Sequence, residues 1–147
     1  MASASNGRRA SGDRVLIDTG PIVAILDSSD EHHGICVDQL RHLRAPLFTC
    51  WPVVTEAAWL LRARPADIGR LMASFNQRLF GLLPLNEPDV PAIAAIVERY
   101  RSLNIQLADA SLVHLANREG TDTIFTLDRR DFGVLRMARG KKFRLIP

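Results

Sequence analysis

Short apolar runs alternate along this chain with longer stretches in which apolar residues recur every three or four positions. The short runs predict buried strands at 14–18, 47–50, 81–85, 123–126 and 143–146. The longer stretches predict helices at 21–26, 31–43, 52–61, 65–80, 88–102 and 106–120. Because short continuous strands that alternate with helices are typical of a parallel sheet, we expect an α/β sandwich with helices on both faces of the sheet.

The length and composition fit one soluble domain. The chain has 147 residues, of which 47% are hydrophobic and 24% are charged, and it contains neither internal repeats nor a linker. All of its apolar runs are shorter than the roughly 18 residues that a membrane-spanning helix needs. Residues 1–12 are small and polar, so we expect a disordered leader there and a single domain at 13–147.

The leader lacks the apolar segment of a secretion signal, which predicts a cytoplasmic protein. In that compartment the two cysteines, Cys36 and Cys50, are expected to be reduced thiols. A disulfide between them is the less favoured alternative.

Positive charge is concentrated at the C-terminal end. Residues 129–147 contain seven basic side chains and one acid, Asp131, although the whole chain has a net charge of only +3. A basic surface next to an acidic pocket suits a polyanion such as RNA, and a solvated basic chain end is the simpler alternative. Under the first interpretation, we expect Arg129 and Arg130 to contact the RNA backbone.

Four acids lie at or near positions where a predicted strand passes into a helix, or inside a short apolar helix. They are Asp18, Glu56, Asp109 and Asp128. Functional sites of open α/β sheets lie beyond the carboxyl ends of the strands, so we expect these side chains to meet at one sheet edge. Clustered carboxylates repel one another, and they are preferred ligands of Mg²⁺ and Mn²⁺. A divalent metal held by acids is a common arrangement for hydrolysing phosphodiesters.

Each acid taken alone also has an ordinary structural explanation. Asp18 can cap the helix that follows it, Glu56 can be a first-turn acid favoured by the helix dipole, and Asp128 can belong to a turn. Asp109 is harder to explain in this way, since its spacing points it towards the apolar side of its helix. Spacing alone therefore leaves a metal site and a set of unrelated caps as alternatives.

The segments that contain these acids resemble the motifs of PIN domains, and in particular those of the VapC-type toxins of bacterial toxin–antitoxin operons. The segments are 16–21 (LIDTGP), 55–60 (TEAAWL), 107–112 (LADASL) and 125–132 (FTLDRRDF). Each motif is short and degenerate, but their order and spacing together are fairly specific. The resemblance extends from residue 14 to residue 147, and it implies one PIN domain with a short central parallel sheet between helices.

The resemblance also implies an activity, a cofactor and partners. It implies an endoribonuclease that depends on Mg²⁺ or Mn²⁺, with Asp18, Asp109 and Asp128 as metal ligands and Glu56 as a further ligand or a water-holding residue. The implied substrates are transfer or ribosomal RNAs. The implied partners are a cognate antitoxin, whose C-terminal segment occupies the acidic groove, and a second copy of the chain in a homodimer.

Three neighbouring residues are expected to support the acids. Thr19 and Thr126 match the family's hydroxyl positions, whereas Gly20 stands where many members have Asn or Ser. Asp131 is a second candidate ligand beside Asp128. We favour Asp128 because it is nearer the end of the predicted strand.

The apolar face of the helix at 65–80 is either a docking surface for a homodimer partner and the antitoxin or ordinary core; its members are Ile68, Leu71, Met72, Phe75 and Leu79. Trp51, Trp59 and Phe75 are expected in the core or in an interface, and not as a base-stacking platform. None of the four histidines is assigned a role in the site.

Two other functions compete with a nuclease. A phosphatase or a phospho-receiver also places acids at the carboxyl edge of a parallel sheet. However, Asp18 lacks the second aspartate two positions later, and the only lysines, Lys141 and Lys142, lie near the C-terminus. A catalytically silent RNA- or protein-binding module has no need of four such acids. The sequence therefore favours a ribonuclease.

Overall fold

A five-stranded parallel sheet forms the centre of the computed structural model, which describes residues 14–147. The strands are β1 (Val15–Ile17), β2 (Leu47–Thr49), β3 (Phe80–Leu82), β4 (Thr123–Phe125) and β5 (Arg144–Ile146). Their order in the sheet is β3-β2-β1-β4-β5, and every neighbouring pair is parallel. The predicted leader at 1–12 lies outside the described residues.

Seven α-helices connect and flank the strands within the described part of the chain. They are α1 (Thr19–Leu26), α2 (His33–Arg41), α3 (Trp51–Leu60), α4 (Pro65–Asn76), α5 (Val90–Arg99), α6 (Leu107–Glu119) and α7 (Arg129–Val134). Short 3₁₀ turns lie at Glu87–Asp89, Arg101–Leu103 and Ala138–Gly140. Every crossover between consecutive strands contains at least one helix, as parallel pairing requires. The predicted α/β fold is confirmed.

Strand β1 is enclosed on both sides because β2 and β4 pair with it. Its residues Leu16 and Ile17 have no exposed surface, and the same holds for Leu47 in β2 and Phe125 in β4. Burial on both faces explains why these strands are continuous apolar runs and do not alternate with polar residues. Since all strands run in one direction, their C-terminal ends share one edge of the sheet, where α1, α3 and α7 begin.

Several helix boundaries differ from the sequence prediction, those of α1 and α4 among them, and helix α7 was not predicted. Helix α1 begins at Thr19, so that Pro21 is its third residue; this is tolerated because the first four backbone N–H groups of a helix lack partners within it. Helix α4 ends at Asn76 and not near residue 80. Arg78 adopts a left-handed conformation with φ of 60°, and the chain then enters β3 at Phe80. The turn after α4 packs against the same hydrophobic core as the helix itself, so apolar residues continue past Asn76. Their spacing therefore does not show where α4 ends.

The apolar face of α4 is mostly core. Leu71 is fully buried, while Ile68, Phe75 and Leu79 are partly buried against the main hydrophobic cluster. Met72 is exposed over 40% of its surface. Of the two roles predicted for this face, ordinary core packing is therefore the one that the structure supports. The homodimer stays a prediction, without support from α4.

Both cysteines lie in the core as free thiols. Cys36 and Cys50 form no disulfide, as expected, and burial raises the pKa of each thiol to about 11. Among the helices formed by residues 14–147, none combines the length and the apolar character needed to cross a membrane.

Candidate metal centre

Asp18 directly follows β1 and is held by groups from two other places in the fold. Its backbone N–H donates to the carbonyl of Phe125 at 2.9 Å, which extends the pairing of β1 with β4 by one residue. This pairing brings Thr126 alongside, and the Thr126 hydroxyl donates to Asp18 Oδ2 at 2.8 Å. Asp18 Oδ1 accepts the backbone N–H of Thr19 at 2.7 Å, so the same carboxylate also caps α1.

Glu56 reaches the same place from α3. It is the sixth residue of that helix and lies beyond the first turn, so the helix-dipole explanation does not apply to it. Glu56 Oε2 accepts a hydrogen bond from the Thr19 hydroxyl at 3.1 Å. Thr19 therefore contacts two acids, Asp18 through its backbone N–H and Glu56 through its hydroxyl.

Asp109 enters from α6, where it is the third residue. Its Oδ2 accepts the backbone N–H of Gln106 at 3.1 Å, which helps to cap the helix. Asp109 is only 8% exposed, and the helix residues around it, 108–113, are all buried. This burial agrees with the predicted position of Asp109 on the apolar side of its helix.

Asp128 caps α7 and is linked to Asp18 through one hydroxyl. Its Oδ1 accepts the backbone N–H of Asp131 at 2.9 Å. Its own backbone N–H donates to Thr126 Oγ1 at 3.0 Å. Because Thr126 also donates to Asp18, the side chain of Thr126 connects the two acids across neighbouring strands.

All four predicted acids line one cavity of about 530 Å³. The other lining residues are Thr19, Gly20, Leu60, Asn104, Gln106, Leu127 and Asp131. This set includes five carboxyl groups and no lysine, arginine or histidine among the described residues. At Gly20, a Cβ atom would lie 3.4 Å from Leu127 Cδ1, so Leu127 partly fills the place of a side chain there. The cavity therefore concentrates negative charge without a balancing cationic side chain in its wall.

Burial of these acids, together with their mutual repulsion, raises the pKa of several of them. Burial, and to a smaller extent the three neighbouring acids, raise the pKa of Asp109 from 3.8 to about 7. Burial also raises the pKa of Asp18 to about 6, although the hydrogen bonds from Thr19 and Thr126 act in the opposite direction. The pKa of Asp131 is raised as well, first by burial and then by Asp128. A bound cation would relieve the same repulsion that these protons relieve.

The donor set fits a hard divalent cation that keeps part of its water shell. Asp109 Oδ1 and Glu56 Oε1 accept no hydrogen bond from the described residues, since the protein contacts of both side chains use the other oxygen. Within residues 14–147, no three His, Cys, Asp or Glu side chains are arranged to enclose a metal ion by themselves. Mg²⁺ is commonly held through one or two carboxylates and several waters. The carboxylate lining of the cavity therefore suits a hard divalent cation.

The predicted RNA-contacting arginines lie outside the lining of this cavity. Arg129 and Arg130 are exposed at the start of α7, and the Arg129 guanidinium donates to the carbonyl of Pro147. Their contact with RNA stays a prediction. The histidines also lie outside the lining; the Nε2 atom of His114, for example, is 2.8 Å from Asp89 Oδ1.

Sequence reasoning missed several groups at or beside the cavity. Leu60, an apolar residue near the end of α3, is 54% exposed and lines the cavity. Asn104 lines it from a left-handed conformation with φ of 51°, which Asn adopts more readily than most residues. Trp51 and Trp59 are 59% and 63% exposed, so the core is wrong as their predicted place, whereas an interface stays a prediction.

A protein-family model decides the family of this chain. The model of the PIN domain matches residues 15–137, a range that contains all four acids. The chain belongs to the PIN-domain family.

This PIN domain is similar to two proteins of Mycobacterium tuberculosis. It is 31% identical over 136 residues to Ribonuclease VapC26 of strain ATCC 25618 / H37Rv, and the alignment covers 90% of the PIN-domain chain and 100% of VapC26. A crystal structure of VapC20, described as a sarcin-ricin loop cleaving toxin, matches with a TM-score of 0.68 at 15% identity. That match covers 79% of the present chain and 91% of VapC20. The first similarity places the PIN domain among VapC-type proteins, and the second confirms the fold.

Proposed function

We propose that this VapC-type PIN domain is a divalent-metal-dependent endoribonuclease and the toxin of a type II toxin–antitoxin pair. One observation supports this proposal most directly: Asp18, Glu56, Asp109 and Asp128 come from different parts of the fold and line one cavity. The similarity to a protein named Ribonuclease VapC26, over the full length of that protein, supports RNA as the substrate.

The acids divide into metal-holding and supporting roles. Asp18, Asp109 and Asp128 would hold Mg²⁺ or Mn²⁺ partly through water molecules of the ion, since no three acids among the described residues enclose an ion by themselves. Glu56 would hold either the ion or a water molecule. A divalent cation bound there supplies Lewis-acid chemistry to a phosphodiester and lowers the pKa of a water molecule. Since water is the proposed nucleophile, the products should carry 5′-phosphate and 3′-hydroxyl ends. Cyclic 2′,3′-phosphate ends would contradict this mechanism.

Two hydroxyl groups keep the acids in place before a substrate arrives. Thr126 fixes Asp18 relative to Asp128, and Thr19 fixes Asp18 relative to Glu56. Carboxylates that are already oriented by hydrogen bonds need less reorganisation when ion and substrate bind. Thr19 and Thr126 are therefore positioning residues in this proposal.

Bound RNA would place one phosphate in the acidic cavity. The negative charges of its other phosphates would then need basic side chains outside the cavity. Arg129 and Arg130 at the start of α7 are proposed to contact the backbone on either side of that phosphate. Transfer and ribosomal RNAs are the proposed substrates. The proposed partners are an antitoxin, whose C-terminal segment would occupy the acidic cavity, and a second copy of the chain in a homodimer. The proposed compartment is the cytoplasm.

Cleavage of total bacterial RNA tests the proposal directly. Purified protein, freed of antitoxin, is incubated with the RNA in EDTA, in Mg²⁺ and in Mn²⁺, beside the variants Asp109→Asn and Asp38→Asn. Asp38 is a matched control, because this acid lies on α2 with a side chain 71% exposed. We expect discrete cuts that need the metal, persist in Asp38→Asn and disappear in Asp109→Asn. Metal-dependent cutting by folded Asp109→Asn at the wild-type rate would remove Asp109 from the site.

A further inference from the structure

One uncharged side chain in the wall of the acidic cavity has no partner. Asn104 is exposed and lines this cavity together with the four acids. Its backbone N–H donates to the carbonyl of Arg101 at 3.1 Å, which closes a short turn before α6. Its side-chain amide makes no hydrogen bond with any of the described residues. The amide is therefore available to a ligand that enters the cavity.

The backbone conformation of Asn104 does not explain why an amide stands there. The residue is left-handed, with φ of 51° and ψ of 46°. Asn adopts this conformation more readily than most residues, but glycine does so with less strain. The turn is also anchored, because the buried hydroxyl of Tyr100 accepts the backbone N–H of Arg136 at 3.1 Å. A fixed turn thus presents the amide to the cavity.

The proposed chemistry does not by itself distinguish RNA from DNA. A water nucleophile attacks phosphorus without help from the ribose 2′-hydroxyl, and the phosphodiester group is the same in both polymers. Selection of RNA at the cut therefore needs a protein group that contacts the 2′-hydroxyl. Because that hydroxyl both donates and accepts hydrogen bonds, an amide is a suitable partner for it.

The other polar groups of the lining already have partners or carry negative charge. The single proton of the Thr19 hydroxyl is donated to Glu56 Oε2. The side chain of Gln106 accepts the backbone N–H of Asp109 in the cap of α6. The remaining lining residues are acids, which only accept when ionised, and glycine and leucine. Among the described residues of the lining, Asn104 alone has both a donor and an acceptor without a partner.

We infer that the amide of Asn104 contacts the 2′-hydroxyl of a ribose next to the scissile phosphate and is the group by which the site prefers RNA to DNA. Its Nδ2 donates to the ribose oxygen, or its Oδ1 accepts the ribose proton. This inference rests on the proposed ribonuclease function. Because Asn104 is exposed, water replaces a missing 2′-hydroxyl, and the preference should have the size of one hydrogen bond.

Single 2′-deoxy substitutions test this inference. Once a cut in total RNA has been mapped, a synthetic RNA that spans it is prepared, with two copies that each lack one 2′-hydroxyl beside the scissile phosphate. For the wild type in Mg²⁺, one of the two substitutions should lower kcat/KM by about 2- to 12-fold, as expected for one hydrogen bond between uncharged groups. Asn104→Gly should cleave the unmodified RNA more slowly by the same factor and should not distinguish it from that copy.

Two further variants separate the amide from the backbone and from a neighbouring acid. Arg78→Gly makes the same kind of change at another left-handed residue, with φ of 60°, outside the lining of the cavity. It should keep the wild-type ratio of kcat/KM for the unmodified and deoxy substrates. Asp131→Asn should also keep this ratio, whatever its effect on the rate. Melting temperatures identify any variant that is merely unfolded.

The outcomes separate this inference from the function on which it rests. If the wild type cleaves the RNA and both deoxy copies equally fast, the site does not contact a 2′-hydroxyl and the inference is wrong. A preference that survives in Asn104→Gly, or that disappears in Asp131→Asn instead, would assign the contact to another group. If the folded wild type cleaves no RNA with either metal, the proposed function fails and the inference fails with it.

Discussion

The hydroxyl of Thr126 donates to Asp18 Oδ2 over 2.8 Å, although 108 residues separate the two in the sequence. Thr126 Oγ1 also accepts the backbone N–H of Asp128 at 3.0 Å. One side chain thus connects the acid that ends β1 with the acid that follows β4. Because β1 and β4 are paired neighbours, the sheet itself sets this arrangement.

Replacing Thr126 by valine keeps the side-chain shape and removes the hydroxyl. We expect the free energy of unfolding to fall by about 1–3 kcal/mol at pH 8, because the buried carboxylate of Asp18 loses a donor. Thr49→Val is a matched control, since Thr49 ends β2, is fully buried, and has a hydroxyl without a partner among the described residues. Urea denaturation should show the loss for Thr126→Val alone; equal losses would contradict the role of this hydrogen bond.

The stability of the metal-free protein is expected to fall as the pH rises from about 4 to about 7. The pKa of Asp109 is raised from 3.8 to about 7 and that of Asp18 to about 6, so the folded protein holds more protons than the unfolded chain in this range. The free energy of unfolding therefore decreases with pH, by at most about 1.4 kcal/mol per pH unit for each extra proton. Thermal unfolding in EDTA at several pH values measures this slope.

Asp109→Asn should make that pH dependence shallower. A neutral amide removes one titrating carboxyl group and its repulsion of Asp18, so the metal-free variant should be more stable than the wild type above pH 7. Asp38→Asn, which changes an exposed acid on α2, should leave the slope as it is. A wild-type slope in Asp109→Asn would show that Asp109 does not titrate as described.

Binding of Mg²⁺ or Mn²⁺ is expected to be weaker at pH 5.5 than at pH 8, because protons compete for the same carboxylates. At pH 8, Asp128→Asn should abolish binding, whereas Asp131→Asn should retain most of it, as Asp128 follows the end of β4 more closely. Titration calorimetry measures the affinity, and the rise in melting temperature on adding metal gives an independent value. If Asp131→Asn abolished metal binding and Asp128→Asn retained most of it, Asp131 would be the ligand.

The acids could be predicted from sequence because strand ends are local features. Asp18 and Asp128 each follow a short apolar run, and parallel pairing brings such ends to one sheet edge. Capping a helix and belonging to a shared site are not alternatives for these acids. Asp18 and Asp128 each cap a helix and also line the acidic cavity. The exposure of Leu60 and Trp59 could not be predicted. Apolar residues lie on several sides of α3, and only the packing of α3 against α1 and α6 decides which side is buried.

The predicted contact of Arg129 and Arg130 with RNA has a characteristic dependence on salt. In the double variant Arg129→Ala plus Arg130→Ala, binding of a single-stranded RNA to the metal-free protein should weaken. The slope of log affinity against log salt should become shallower by about 1.4, or about 0.7 for each lost phosphate contact. The double variant Arg99→Ala plus Arg101→Ala removes two exposed charges at the end of α5 and should keep the wild-type slope.

Since Arg129 also contacts the carbonyl of Pro147, circular dichroism must first show that the variant Arg129→Ala plus Arg130→Ala is folded. A folded variant with the wild-type slope would mean that these two arginines are only a solvated basic surface.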